Sequence, residues 1–458
     1  MNLNEIKSFF FVGIAGTGMS AIAQYLRGLG KTVSGSDRLF SPTEKMEIQL
    51  QFEKMGIGCH FQDGSGIDEK TDVVVVSTAI EQTNVEYQKA LSLNIPVVKR
   101  SEILAMIANS TKTIAVGGTS GKSTTTAMIF HILEKCGKSP SLITGAGLAS
   151  LQRKGLPGNA YNGNGDWLVI EADESDGSIV GYKPEISVLL NMERDHKEFD
   201  ELIQLFATFK SNTRKAFVVN YDCDKSRSLS KNPEYDFSAN GQNVGFFGTD
   251  FIQKGFSISF TVNGIPCTLP LIGRHNMENA LAAMAVCHQA GVDVKNSAEA
   301  LSSFEGIYRR TQLVGSNALR KIYVIDDFAH NPSEVACAMK ACQAVASHVL
   351  AYFQPHGFGP LRFMHKELAE EVAAVLRPSD VFFVGDVYYA GGTVNRDITA
   401  DVVSDDVQKF GKNAVYARDK SYAEKVLLDA VSDDCVVLIM GARDPHLTDF
   451  AKSVFDKI

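Results

Sequence analysis

Apolar runs that end in a tight turn and pass straight into a helical pattern recur along this chain, and no other feature limits its fold so strongly. "SFFFVGIAGTGMSAIAQYLRGLG" near the N-terminus is one, "KTIAVGGTSGKSTTTAMIF" from Lys112 a second, and "KIYVIDDFAHNPSEV" from Lys321 a third. A strand that is apolar throughout has to be covered on both faces, and strands joined through helices run parallel. Further runs fit the same scheme. The first third adds "KTVSGSD", "DVVVVST" and "IPVVKRSEILAMI", the second "DWLVIEAD" and "EISVLLN", the last "HVLAYFQP", "DVFFVGD" and "CVVLIMGARD". Residues 237–270 are polar and β-patterned, a helix follows in "GRHNMENALAAMAV", and "FEGIYRRTQLVG" reads as a connector. The 458 residues, at roughly 150 per domain, therefore predict three successive α/β domains, 1–108, 109–312 and 313–458.

Charge narrows the function classes. The chain carries 45 basic and 53 acidic residues, a net −8, with no basic footprint for nucleic acid. Phosphates would have to be bound locally, by backbone amides, a few cations and metal. The eight cysteines are scattered without a CxxC pair, which suits a reducing compartment. The N-terminal "FFFVGIAG" superficially resembles a secretory signal, but glycines at 13, 16 and 18 interrupt it in an ordered way. No window approaches the ~20 apolar residues of a membrane span. The expectation is a cytoplasmic protein with no membrane or nucleic-acid partner.

The turn after Lys112–Val116 raises a chemical question. The usual phosphate loop has a glycine five places before the glycine of Gly-Lys-Ser/Thr, and Val116 stands there. Gly117 and Gly118 still leave a strand-turn-helix unit that presents free amides at a helix N-terminus, an anion site. Lys122 would reach the β- and γ-phosphates and the Ser123 hydroxyl would ligate Mg²⁺. The bland alternative is an ordinary helix start with an exposed lysine.

Two later strand ends belong with that loop. "VIEADESDGS" delivers carboxylates after a buried run, and hard cations take carboxylates together with substrate phosphates. Glu171 is the best placed; Asp173, Glu174 and Asp176 equally suit a solvated acidic loop. "LLNMERDHKEFD" repeats the design with Asn191 and His196, the histidine as metal ligand or phosphate contact. The N-terminal glycines are spaced GxxGxG rather than GxGxxG. Asp37, closing "VSGSD", lies where a ribose-binding acid would sit, so an NAD-linked oxidoreductase is a rival reading of this region taken alone.

These pieces occur together, in this order, in the Mur ligases, ATP-dependent amide-forming enzymes of peptidoglycan precursor synthesis. The chain resembles that family over nearly its whole length, through "GIAGTGMSAIA", "VSGSD", "VVVVSTAI", "GTSGKSTTT", "EADESDGS", "ERDH", "GRHNMENALAA", "RRT", "DDFAHNP" and "FQPH". It is most similar to the branches that attach L-alanine, or a recycled murein tripeptide, to UDP-N-acetylmuramate. The shortened loop is the family's own form, which accounts for the missing glycine.

The resemblance implies an N-terminal Rossmann-like domain for the UDP-sugar, a central P-loop ATPase-type mixed-sheet domain, and a C-terminal Rossmann-like domain. Gly16, Ser36, Asp37, Ser77 and Thr78 would hold the uridine diphosphate. Gly118, Thr119, Ser120, Gly121, Lys122, Ser123 and Thr124 would cradle ATP. Glu171 and His196 would bind magnesium with Ser123. Asn276 would face the adenine, Arg310 would lie at the domain joint and Asp327 would reach ATP from the third domain. His330, Asn331, His356 and Arg362 fall on the amino-acid side. Because these ligands come from all three domains, closure would assemble the site and exclude water. The chain would act as a monomer or homodimer.

It also departs from the alanine-ligating pattern. Gly357 and Phe358 stand where an amino-acid-facing arginine is expected, Arg362 is displaced, and the aspartate pair of "DDFAHNP" is followed by Phe-Ala-His-Asn-Pro where the alanine ligases have Tyr-Gly-His-His-Pro. A homologue that binds nucleotides without catalysis is thus a further alternative. Lys210 lies near where other members carry a carbamoylated lysine, a feature the alanine ligases lack.

Overall fold

The structure is a computed structural model and describes residues 1–458 apart from 42, 194–197, 242 and 390–394. The chain packs into two compact units. The first comprises Met1–Thr249, Thr261–Cys267 and Glu278–Ile307; the second comprises Asp250–Phe260, Thr268–Met277 and Tyr308–Ile458.

The first unit holds two parallel-rich sheets. One runs in the order Gly58–His60, Thr32–Ser36, Ser8–Val12, Val73–Val76, Val97–Lys99, all parallel. Its central strand shows why an unbroken apolar run is needed. Phe9 and Phe11 point into one core with Ile22, Leu26 and Val75, whereas Phe10 and Val12 point into another with Val74, Val76 and Ala90. Each such phenylalanine contributes about 1.5–3 kcal/mol relative to exposure. The order reverses at Ser8–Val12, so the Gly13–Gly18 turn opens at the switch point, where such sheets bind ligands.

The second sheet runs in the order Ala216–Val219, Ile186–Leu189, Lys112–Gly117, Trp167–Glu171, Ser141–Ile143, Ala160–Tyr161, and only the last strand is antiparallel. Its switch point lies beside Lys112–Gly117. Val116 registers with Glu171 and Gly117 with Leu189, so the glycine turn, Glu171 and Asn191 share one sheet edge. The β-patterned stretch forms a four-stranded sheet of Phe237–Ser238, Phe246–Lys254, Ser257–Val262 and Ile265–Leu269.

The second unit carries a six-stranded sheet in the order Gln312–Asn317, Ile322–Asp327, Cys435–Gly441, His348–Gln354, Val381–Gly385, Ala414–Ala417. The expected connector is partly strand. Gln312–Asn317 pairs antiparallel with Ile322–Asp327 and is broken by a bulge between Leu313 and Gly315, which hides its alternation in the sequence. Among the described residues no helix is long and apolar enough to cross a membrane.

Candidate active site

Gly118 and Gly121 adopt φ of +135° and +81°, a left-handed path that lets the chain leave the strand and enter the helix Lys122–Lys135 within a few residues. Asn191 pins this loop from the neighbouring strand end. Its Oδ1 accepts from the Thr119 hydroxyl at 2.9 Å and the Ser120 amide at 2.8 Å, and its Nδ2 donates to the Ser120 carbonyl at 3.1 Å. Thr125 in the first turn donates to Asn279 at 3.2 Å. Ser123 and Thr124 are buried beneath the loop.

Lys122 folds back over the turn. Its Nζ donates to the Gly118 carbonyl at 2.7 Å and to Glu174 at 2.9 Å. Burial disfavours the ammonium, but Glu174, Asp173 and Glu171 outweigh it and hold its pKa above the usual lysine value. Burial pushes the Glu174 carboxyl upward, with Lys122 opposing. The ion pair is therefore a poised one: the lysine is charged, desolvated and held by a carboxylate where a phosphate would suit it.

Glu171 ends its strand beside this pair. Its Oε1 accepts from the Thr144 hydroxyl and, at 2.9 Å, from the Gly145 amide. A side chain at Gly145 would sit 3.3 Å from the other oxygen, Oε2, so the missing Cβ keeps that oxygen uncovered. Among the described residues no group of three or more His, Cys, Asp or Glu side chains is gathered to hold a metal. His196, expected as a ligand, lies outside the described residues.

The first sheet contributes the opposite wall. Gly16 caps the helix Thr17–Gly28, and Ser77 follows the strand Val73–Val76, with Thr78 exposed beyond it. Asp37 is buried and committed to the backbone, accepting from the Ala15 and Leu39 amides at 3.0 Å each, and the Ser36 carbonyl accepts from the Gly13 amide at 2.7 Å. Ser36 and Asp37 thus shape the glycine turn. A cavity of about 410 Å³ is lined by this turn and Ser77 on one side and by Thr144, Gly145, Glu171 and Asp173 on the other. Arg100, the first residue of the helix Arg100–Ser110, also lines it. Sequence reasoning missed Arg100, Thr144 and Gly145, and could not choose Glu174 from its acidic neighbours.

In the second unit, Asp327 accepts from the Thr311 amide at 2.6 Å and the Ala329 amide at 2.7 Å, and burial lifts its pKa to about 6. His330 and His356 meet edge to face at 5.0 Å. His330 Nδ1 lies 3.0 Å from Glu334. Burial opposes ionisation of Glu334, but His330 and Arg310 prevail and bring it down to about 2. The Arg310 guanidinium lies 5.1 Å from the Phe328 ring centre. Asn276 donates to the Ile272 carbonyl at 2.7 Å. Asn331 caps the helix Pro332–Gln343 by accepting from the Glu334 amide at 2.9 Å. Arg362 is turned to the surface and paired with Asp397. Arg309, unremarked beside Arg310 in the sequence, is buried, with Nε 3.0 Å from Asp326 and Nη2 donating to the Gly441 carbonyl at 2.7 Å.

Known proteins match this chain over nearly its whole length. The Mur ligase family catalytic domain matches residues 8–112, the Mur ligase middle domain 116–287, and the Mur ligase glutamate ligase domain 309–443. The UDP-N-acetylmuramate-L-alanine ligase of Syntrophomonas wolfei is 32% identical over 461 residues, covering 96% of this chain and 95% of its own. That of Geobacter sp. (strain M21) is 34% identical over 458 residues, covering 96% and 95%. Among solved structures, UDP-N-acetylmuramate-alanine ligase from Thermotoga maritima superposes with a TM-score of 0.80 at 26% identity over 98% of both chains. A murein peptide ligase from Psychrobacter arcticus shares the fold, with a TM-score of 0.67 at 21% identity over 98% of both.

Proposed function

The chain belongs to the Mur ligase family, and from that premise we propose that it joins L-alanine to UDP-N-acetylmuramate at the expense of ATP, in the cytoplasm. The observation that carries this reading is the cavity shared by the Gly13–Gly18 turn and Glu171. A sugar nucleotide with its uridine diphosphate held by Gly16, Ser36, Asp37, Ser77 and Thr78 would extend its lactyl carboxylate toward the loop that cradles ATP. The oxidoreductase rival loses its footing, because Mur ligase models match three successive regions of the chain.

In the proposed reaction a carboxylate oxygen attacks the γ-phosphorus, the bond to the bridging oxygen breaks, and ADP leaves. The resulting acyl phosphate is attacked at carbon by the neutral amine. Phosphate leaves with the bonding pair, an amide forms, and the nitrogen gives up one proton. Lys122 would exchange Glu174 for the β- and γ-phosphates, and the amides of residues 118–124 would orient them, so that the protein contributes chiefly positioning and charge. Ser123 and Glu171, with His196, would hold magnesium. The hydroxyl and the uncovered Glu171 oxygen are hard donors, and this ion takes few protein ligands beside phosphate and water. When bound it neutralises charge on the phosphoryl group. Asn276, Arg310 and Asp327 are proposed to serve the nucleotide, and His330, Asn331 and His356 the acceptor.

The surface pairing of Arg362 with Asp397 favours a second reading in which murein tripeptide is the acceptor, since no arginine of that segment is held for a lone amino acid. Phosphate release with ATP, Mg²⁺ and UDP-N-acetylmuramate, screened over alanine, glycine, serine and murein tripeptide, decides between them. Alanine is expected to lead glycine in kcat/KM by about tenfold or more, the scale of one buried methyl group. Release driven by the tripeptide alone would establish the second reading, and no acceptor dependence would sink both.

A further inference from the structure

Arg100 is the one cation among the described residues that line the cavity, which Glu171 and Asp173 line as well. Its position runs against local electrostatics. As the first residue of the helix Arg100–Ser110 it sits at the positive end of its own dipole, where a cation is disfavoured. The guanidinium also packs on Gly18 in the first turn of the helix Thr17–Gly28: a Cβ there would lie 2.8 Å from Nη1. Its carboxylate partner, Asp176, stands 3.7 Å away, both side chains being partly exposed. That is well beyond the ~2.7–2.9 Å of a close charge-assisted hydrogen bond. The arginine is thus held against the glycine turn by an ion pair loose enough to be exchanged.

We propose that Arg100 binds the diphosphate of the sugar nucleotide, exchanging Asp176 for it. The planar fork of a guanidinium matches two phosphate oxygens at once. The diphosphate, rather than the lactyl carboxylate, is assigned to it because Arg100 touches Gly18, at the glycine-turn wall, whereas the lactyl carboxylate is proposed to extend past that wall toward the ATP loop. Asp176 and Glu174 leave the same short loop, so the loop that holds Lys122 before ATP binds also holds Arg100 before the sugar nucleotide binds. The inference rests on the reading of this chain as a UDP-sugar ligase.

Calorimetric titration with UDP, which has the diphosphate but no lactyl carboxylate, and with UDP-N-acetylmuramate tests it. Arg100→Ala is expected to weaken both by the same factor, roughly ten- to hundredfold, and to leave ATP affinity unchanged. Arg100→Lys keeps the charge without the fork and falls between. Asp176→Asn, which removes the competing carboxylate without touching the cavity wall, is expected to tighten UDP severalfold. UDP binding unchanged in Arg100→Ala overturns the inference, and a loss confined to UDP-N-acetylmuramate moves the arginine to the carboxylate and overturns it too. Should Arg100→Ala fail to fold, UDP affinity unaltered by Asp176→Asn overturns it as well. Wild-type protein that binds no UDP would remove the ligase reading itself, a distinct result.

Discussion

Lys122→Ala is expected to lower acceptor-dependent phosphate release by at least about 10²–10³-fold, roughly 3–4 kcal/mol of barrier, while the protein stays folded. The side chain is desolvated and charged, and its Nζ already lies 2.7 Å from the Gly118 carbonyl at the mouth of the loop. Alanine removes the cation that would follow charge onto the departing β-phosphate, and nothing else in the loop carries a positive side chain. The substitution also strands Glu174, a buried carboxyl that burial has pushed upward; it is expected to take up a proton instead of unfolding the chain. Glu174→Gln breaks the same ion pair from the other side and is the control. A steady-state assay with both variants separates the roles: activity lost equally in the two would mean that the ion pair, and not phosphate contact, is what matters. Near-normal turnover in Lys122→Ala would end the assignment of the loop.

The largest stability effect is expected from Asp326→Ala. Asp326 is fully buried, lies 3.0 and 3.1 Å from Arg309 Nε, and accepts from the Thr448 hydroxyl at 2.6 Å. Tyr308 in turn donates to Thr448 at 2.9 Å, so this network ties the segment after residue 307 to the sheet and to the helix Leu447–Asp456. Removing one partner of a buried pair leaves an uncompensated charge and costs about 3–5 kcal/mol. Urea unfolding followed by far-UV circular dichroism should show that loss in the transition assigned to the second unit. The double change Arg309→Met with Asp326→Leu is expected to recover most of it, because an apolar pair of similar volume replaces the charges. A loss below about 1 kcal/mol, the scale of an exposed pair, would contradict the reading.

The parts of this molecule that could be read from its sequence are those where one local rule decides. Phe9–Val12 and Val73–Val76 have to be central strands because both faces are apolar, and they are. The Gly-Lys-Ser turn marks its own helix start, and the helix begins at Lys122. The parts that could not be read depend on which of several equivalent groups the fold brings inward. "ADESDGS" offers three carboxylates after the strand, and only the path of the loop selects Glu174 for Lys122 and Asp176 for Arg100. Arg309 and Arg310 are adjacent and chemically identical, yet one is buried against Asp326 and the other, partly exposed, lies 4.0 Å from Glu334. Thr144 carries no motif; it matters because the strand Ser141–Ile143 registers beside Trp167–Glu171, with Ile143 opposite Ile170. The strand Gln312–Asn317 escaped because a bulge at an edge breaks its period.

The central claim is that one cavity brings a carboxylate to the γ-phosphate of ATP, and the oxygen atom transferred in that step reports on it directly. UDP-N-acetylmuramate labelled with ¹⁸O in its lactyl carboxylate, incubated with the protein, ATP, Mg²⁺ and the acceptor, should yield inorganic phosphate carrying one labelled oxygen by mass spectrometry, because the carboxylate oxygen that attacks phosphorus leaves with the phosphate. Unlabelled phosphate from that substrate, with ¹⁸O entering only from labelled water, would mean that ATP is simply hydrolysed and that no acyl phosphate forms.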